Sequence, residues 1–427
     1  MSDNPNQPRE YDAVLGGQTP PPVQGVILGG IEGVKHRLSS SNIEARTSAL
    51  SEALNYGETG LNLVIQALDD KFRRVRHTAA QLLRERNEAQ VKLALQNYKF
   101  WSAFEKLNGL PGQYATTFAN RRVIEFDPKI GITDPVGTAY ALRVNYRWQG
   151  GFNREPDASI VDKLQLFVQD PLACQIEALV IGFWCANLGY DWCSRHVVDA
   201  LIDVYEQLPN LKALFLGDIE DSECMISSIT QSNISLIFVA YPQLEVLKIR
   251  GDRYYTGEGL RFEPLQHDNL KALIIESGGL RREVINQLCT FELPSLEYLE
   301  LWTGRDDYGG TSSIEDVMPI ISGQQFPKLK YLGLRNSEYT DDIAFALVRS
   351  PLIEQLIELD FSRGTLADEG AEALLNCPAV HQLDTLNVDD NCLSRPMVAR
   401  LKQLEIEVIA NTRQKSSNNY RYCSVAE

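Results

Sequence analysis

The sequence predicts an α/β repeat protein: an all-helical N-terminal module, then a horseshoe of short parallel strands backed by helices. Three observations predict it. Apolar stripes at helical spacing fill residues 31–98, with polar turns between them. A six-residue pattern of alternating leucines recurs through residues 176–388. Segments with helical stripes of their own separate the copies. At 427 residues the chain has room for several domains or one elongated array.

Taken in order, residues 1–25 carry "TPPP" and several glycines and are expected to form a loose tail. Residues 26–98 are the helical module. "SNIEARTSALSEALNYG" offers Ser41 or Asn42 as an N-cap and sets Ile43, Ala49, Leu50 and Leu54 on one face. "ETGLNLVIQALDD" sets out Leu61, Val64, Ile65 and Leu68. Asp69 or Asp70 can cap the next helix, whose stripe is Phe72, Val75, Ala79, Leu82 and Leu83. Each short helix has two sides to bury and needs neighbours, so the module reads as two HEAT-like pairs closed by "EAQVKLALQNY". Residues 99–155 read as a linker and β cap. There "RRVIEFDP" and "TAYALRVNY" predict two strands, the second pairing with the first repeat strand near 176.

Residues 156–412 hold the repeats. The copies are "IEALVI" at 176, "LKALFL" at 211, "LEVLKI" at 244, "LKALII" at 270, "LEYLEL" at 296, "LKYLGL" at 329, "LIELDF" at 356 and "LDTLNV" at 383, with a partial "IEV" at 406. This is L-x-x-L-x-L at the period of leucine-rich repeats. In a strand, alternate side chains point to opposite faces. Leu332 and Leu334 then face a core shared with returning helices such as "DDIAFALVRS" and "ADEGAEALLNC". The other positions line the concave side. The Asn expected three residues after the last Leu occurs only as Asn391; Ser337, Gly304, Gly364, Gly278 and Asp252 stand at equivalent places, so irregular turns are expected. Residues 413–427 are the C-terminal tail, of which "RQKSSNN" at 413–419 reads as loose.

The net charge of −16 and the lack of a basic run argue against a nucleic-acid ligand. No apolar stretch is long enough for a membrane helix, and the first residues lack a signal-peptide pattern. Eight cysteines without a C-x-x-C pair suit reduced thiols and a cytoplasmic location. The five histidines show no metal spacing, and no phosphate-binding glycine loop occurs, so no cofactor is expected. Cys185 and Cys193 with His196 form a conceivable nucleophile, but they lie among Phe183, Trp184 and Trp192, where a buried structural thiol is the plainer reading. "GRDDYGG" at 304 reads as a solvated rim loop.

The concave positions remain. Lys248, Arg250, Tyr298, Glu300, Trp302, Tyr331, Arg335 and Asp360 are the candidate partner-binding residues. Aromatic and Arg side chains are enriched in binding hot spots. Tyr298, Trp302, Tyr331 and Arg335 fall on adjacent strands and are expected to form an open patch about 10 Å across. The competing expectation is that Trp302 and Tyr331 cover strand edges or lie under the 304–312 loop.

Two stretches also carry a resemblance. "EYDAVLGGQTPPPVQGVILGGIEGVKHRLSS", "ALNYGETGLNLVIQALDD" and "RRVRHTAAQLLRER" resemble HEAT-repeat modules of cyanobacterial proteins. "EFDPKIGITDPVGTAYALRVNY", "LPNLKALFLGDI", "LELWTGRDDYGG", "FPKLKYLGLRNSE" and "GTLADEGAEALL" resemble a family of bacterial cytoplasmic leucine-rich-repeat proteins. The resemblance implies fold and compartment and no chemistry. The expected role is a noncatalytic scaffold for a protein partner with a basic surface. The alternative is a bilin-handling accessory protein acting through the helical module, with Glu52, Arg74 and His77 as its nearest polar candidates.

Overall fold

The computed structural model describes residues 30–40, 42–70, 72–84, 86, 88–97, 112–119, 121–144, 146–148, 154–156, 158–184, 193–414 and 421–425. They fall into two compact units, one within residues 1–100 and one within 101–427.

The first unit is all helical: α1 (Gly30–Leu38), α2 (Ile43–Ala53), α3 (Gly57–Gln66), α4 (Arg73–Arg84) and α5 (Ala89–Asn97). Asn42 caps α2 by accepting the Ala45 N–H. Asp70 Oδ1 accepts the Phe72 N–H at 2.9 Å just before α4. Val34, Ala49, Leu50, Leu61, Val64, Val75, Ala79 and Leu83 form the core, with Ile43, Leu54, Ile65, Phe72 and Leu82 at its margin. The predicted stripes therefore face inward. Gly60 permits the close approach of α3 to the end of α2: a Cβ there would lie 1.7 Å from the Ala53 carbonyl oxygen. Arg46 forms an ion pair with Asp70, which ties α2 to the turn before α4.

The second unit is built on one twelve-stranded sheet. Its strands are β1 (Thr117–Phe118), β2 (Arg121–Glu125), β3 (Thr138–Leu142), β6 (Ala178–Ile181), β7 (Ala213–Leu216), β8 (Val246–Arg250), β9 (Ala272–Glu276), β10 (Tyr298–Gly304), β11 (Tyr331–Ser337), β12 (Glu358–Asp360), β13 (Thr385–Asn387) and β14 (Glu407–Ile409). β4 (Tyr146–Trp148) and β5 (Arg154–Pro156) form a separate antiparallel hairpin. The large sheet runs in chain order and is parallel from β2 onward; only β1 is antiparallel to its neighbour. Every quoted copy is a strand, and the first strand leucines align in one column: Leu179, Leu214, Leu247, Leu273, Leu299, Leu332, Leu359 and Leu386, then Val408. They meet helix residues such as Leu164, Leu201, Ile237, Ile285, Ile320, Ile343, Leu347, Leu374 and Leu401 in one continuous core. A helix lies in each connection from β3 to β14 except β8–β9, and β2–β3 is likewise joined without one. As expected, β3 pairs with β6. β2 is the strand expected from "RRVIEFDP", and β1 adds one the sequence did not show.

The turns are irregular in the way the sequence implies. Buried Asn391 donates its Nδ2 to the carbonyls of Phe361 and Val388 and accepts the Leu366 N–H at 2.9 Å. Asp252 instead holds the Arg281 backbone N–H at 2.9 Å and its guanidinium at 2.6 Å. Gly304, at φ +67°, leaves no room for a side chain, since a Cβ would lie 2.0 Å from the Gly278 carbonyl oxygen. Asn391→Ala is expected to cost about 1–3 kcal/mol by orphaning these backbone groups. Urea unfolding followed by near-ultraviolet circular dichroism measures it.

The stretch expected to be loose, 413–419, lies mostly outside the described residues, and its first residue is held in place. Arg413 bridges to Asn391 and donates to the Leu393 carbonyl at 3.0 Å. Residues 421–425 are also seated on the sheet unit. Residues 415–420 lie outside the described residues. Among the described residues no helix is long and apolar enough to cross a membrane.

Candidate functional site

The strand alternation carries the eight candidate residues to the face opposite the leucines, on β8 through β12. The register brings them together. Tyr298 and Tyr331 are cross-strand partners, with rings stacked 3.9 Å apart at 7°. Glu300 is a hub. One of its oxygens accepts Trp302 Nε1 at 2.6 Å and Arg335 Nη1 at 2.7 Å; the other accepts the Tyr331 hydroxyl at 3.2 Å and that of Tyr298. Asp360 accepts Asn387 Nδ2 at 2.7 Å and the Ser362 N–H at 2.8 Å, and lies 3.6 Å from Arg335 Nε. The Arg335 guanidinium sits 4.8 Å over the Trp302 ring. Gly333 makes room for this: a Cβ there would approach the Tyr331 hydroxyl to 2.8 Å.

Beside this cluster, Glu276 holds Lys248 Nζ and Arg250 Nε, each at 2.9 Å. Arg250 also donates to the Ile219 carbonyl at 3.0 Å, and Lys248 lies 4.4 Å over the Phe215 ring.

One expectation is overturned here. The patch is not open: Lys248, Arg250, Tyr298, Glu300, Trp302, Tyr331 and Asp360 are each 5% exposed or less, and the Arg335 side chain keeps only 13%. Alternation fixes the face a side chain takes but not its depth. Here each polar tip meets a carboxylate on its own or the next strand, and the rings stack along the row. Two segments add cover. Residues 112–119 turn back over the sheet, setting Phe118 5.8 Å from Phe215, while Asp218 holds the Ala115 N–H at 2.8 Å and Arg143 at 2.6 Å. At the other end Val425 closes on Trp302.

The electrostatics follow from this burial. Burial alone would raise the Glu276 carboxyl; Lys248 and Arg250 outweigh it and hold it at about 2. Burial pulls the Lys248 ammonium down, against Glu276. Both directions describe one arrangement, because a single carboxylate is shared by two cations. Asp360 is held down by Arg335 and the Ser362 bonds in spite of burial. Burial, with the carboxylates nearby, pushes the Tyr298 and Tyr331 phenols well up. Glu276 and Asp360 stay charged and both phenols stay protonated across the neutral range.

Sequence reasoning missed a second pattern that was in view. The second letter of six successive copies alternates Glu177, Lys212, Glu245, Lys271, Glu297, Lys330. On the sheet, Lys212 pairs with Glu177 at 2.5 Å, Lys271 with Glu245 at 2.9 Å and Lys330 with Glu297 at 3.0 Å. Such half-exposed pairs add little stability but penalise wrong register.

The other candidates do not converge. Glu52 pairs with Arg37, and Arg74 with Glu44. The His77 side chain, Cys185 and Trp192 lie outside the described residues. Asp307 pairs with Arg305 at 2.6 Å on the rim loop. Among the described residues no three His, Cys, Asp or Glu side chains gather as metal ligands.

No family model and no curated protein matches the chain. Among solved structures, an internalin from Listeria monocytogenes is 16% identical with a TM-score of 0.30, over 58% of this chain and 57% of that one, too distant to carry an argument. A protein from Bacteroides fragilis is 31% identical with a TM-score of 0.56, over 61% of this chain and 71% of that one. At that identity and coverage, this chain belongs to the same family as the Bacteroides fragilis protein.

Proposed function

We propose that the protein is a noncatalytic interaction scaffold. It binds a protein partner across the concave side of β8–β12 and uses the helical unit, read as HEAT-like pairs, as a second docking surface. The observation that carries this reading is the ion-paired network under that face. A general acid or base works best with a pKa near the working pH. The Glu276 and Asp360 carboxyls are instead held low, and the Tyr298 and Tyr331 phenols are held high. Such a network is a rigid support. In it Lys248, Arg250, Tyr298, Glu300, Trp302, Tyr331 and Asp360 fix the pose of Arg335, which keeps some exposure for a partner. The net charge of −16 favours a partner with a basic surface. The seven described cysteines are all free thiols, which supports a reducing, cytoplasmic setting.

Affinity capture from the native host, with hydrogen exchange on the captured complex, tests the proposal. The expected result is a partner that protects β8–β12 and that is lost as salt rises from about 50 to 300 mM. Protection confined to residues 30–97 would move the contact to the helical unit. Salt-insensitive capture would overturn the basic partner, and a wild-type chain that captures nothing would overturn the scaffold.

A further inference from the structure

Residues 421–425, Arg-Tyr-Cys-Ser-Val, lie across the C-terminal ends of the strands and are bound as a peptide ligand would be. The buried Asn336 amide reads the main chain of Val425 on both sides. Its Oδ1 accepts the Val425 N–H at 2.9 Å, and its Nδ2 donates to the Val425 carbonyl. Asn336 adopts φ +50°, a left-handed conformation Asn tolerates better than most residues, and is fully buried, so the amide is fixed in place. The Ser424 N–H donates to the Arg363 carbonyl at 2.9 Å. These bonds hold a backbone without regard to its sequence.

Two side chains supply selectivity. Val425 fills a buried apolar site between Trp302 and Ile226. Four residues earlier, the Arg421 guanidinium pairs with Asp341 and donates to the Thr365 carbonyl at 2.9 Å. It forms one wall of an open cavity of about 340 Å³ whose other walls include Glu338, Asp341, Asp342 and Glu369. Four carboxyl groups and one guanidinium therefore line this cavity.

We propose that this groove is a peptide-recognition site which the protein's own residues 421–425 fill as an internal ligand. The partner it fits is a basic segment of another protein, with an arginine followed four residues later by a valine-sized aliphatic side chain, and it enters by displacing them. The cis occupant supplies the spacing, and the surplus of carboxylates supplies the preference for added positive charge. The proposal rests on the scaffold reading only for the source of the segment. A tethered ligand acts at an effective concentration in the millimolar range. The closed chain should therefore bind a free competitor about 100-fold more weakly than a chain whose segment has been evicted.

The test uses the full chain carrying Arg421→Glu and Val425→Asp, and a fluorescent synthetic peptide with the sequence of residues 419–427. Anisotropy should show the peptide binding this variant about 100-fold more tightly than wild type. Replacing the peptide's arginine by alanine should weaken binding at least tenfold, and salt should weaken it further. A folded variant that ignores the peptide, or that binds a scrambled one equally well, overturns the proposal. Hydrogen exchange on the wild-type chain is the second measurement, independent of any variant. The Ser424 and Val425 amides should exchange at least 1000-fold faster than the amides of β10 and β11. Exchange only at the rate of global unfolding would make the segment a fixed part of the fold and overturn its role as a displaceable ligand. Concentration-dependent dimers of wild type that the peptide dissolves would assign the occupant to a second copy, against a separate partner. Peptide binding with an empty host capture would retain this site and reject only the concave scaffold.

Discussion

Glu300→Ala should be among the most damaging single changes on the concave face, costing about 3–5 kcal/mol, the usual penalty for removing one partner from a buried ionic cluster. The carboxylate receives Trp302, Arg335, Tyr331 and Tyr298. Without it a guanidinium and three polar tips remain in a site that excludes water. The loss should appear as a shift of roughly 5 °C in Tm. The companion change Arg335→Met should restore part of the stability when combined with Glu300→Ala, because removing both charges leaves no unpaired ion. A loss below about 1 kcal/mol for Glu300→Ala alone would contradict the hub described here.

Acid should destabilise the sheet unit chiefly through Glu276. Its folded value of about 2 lies below the ordinary 4.5, so the native state binds its proton less readily than the unfolded chain. The stabilisation is complete above pH 4.5 and is lost as pH falls from 4.5 toward 2, by about 3 kcal/mol in all. Asp360, also held down, steepens the same loss. Asp252 runs the other way. Burial pushes it up to about 6 despite Arg281, so taking up a proton below pH 6 favours the native state. Denaturant titrations from pH 7 to 2 should therefore show a loss confined to the range below about 4.5. Glu276→Gln should flatten that loss while lowering stability at pH 7 by about 3–5 kcal/mol, since Lys248 and Arg250 would keep no counter-charge. An unchanged acid limb in this variant would remove Glu276 as its cause.

The strands were legible because eight leucine patterns share one phase, and a shared phase also fixes the register. The cap strand Thr138–Leu142 was legible from its β-branched and aromatic residues and its place before the first repeat. The face of Tyr298, Trp302 and Tyr331 followed from alternation. Their depth did not. "YLELW" shows Glu300 between two aromatics, but its satisfaction by Arg335 requires pairing β10 with β11 and then counting both cations and carboxylates along the row. That count was possible from the aligned copies, as was the Glu–Lys alternation. The seat of residues 421–425 was not, because Val425 meets Asn336 across 89 residues and no periodic signal links them.

The alternating Glu177–Lys330 row has a consequence for how such an array can change length. Excising the single repeat of β8 would bring Lys212 beside Lys271, and duplicating it would set Glu245 beside a second glutamate. Removing β8 and β9 together would leave Lys212 facing Glu297 with opposite signs still matched. The row thus imposes an even-number rule: within these six strands the heritable unit of growth or loss is two repeats, and odd steps carry an electrostatic fault at the join.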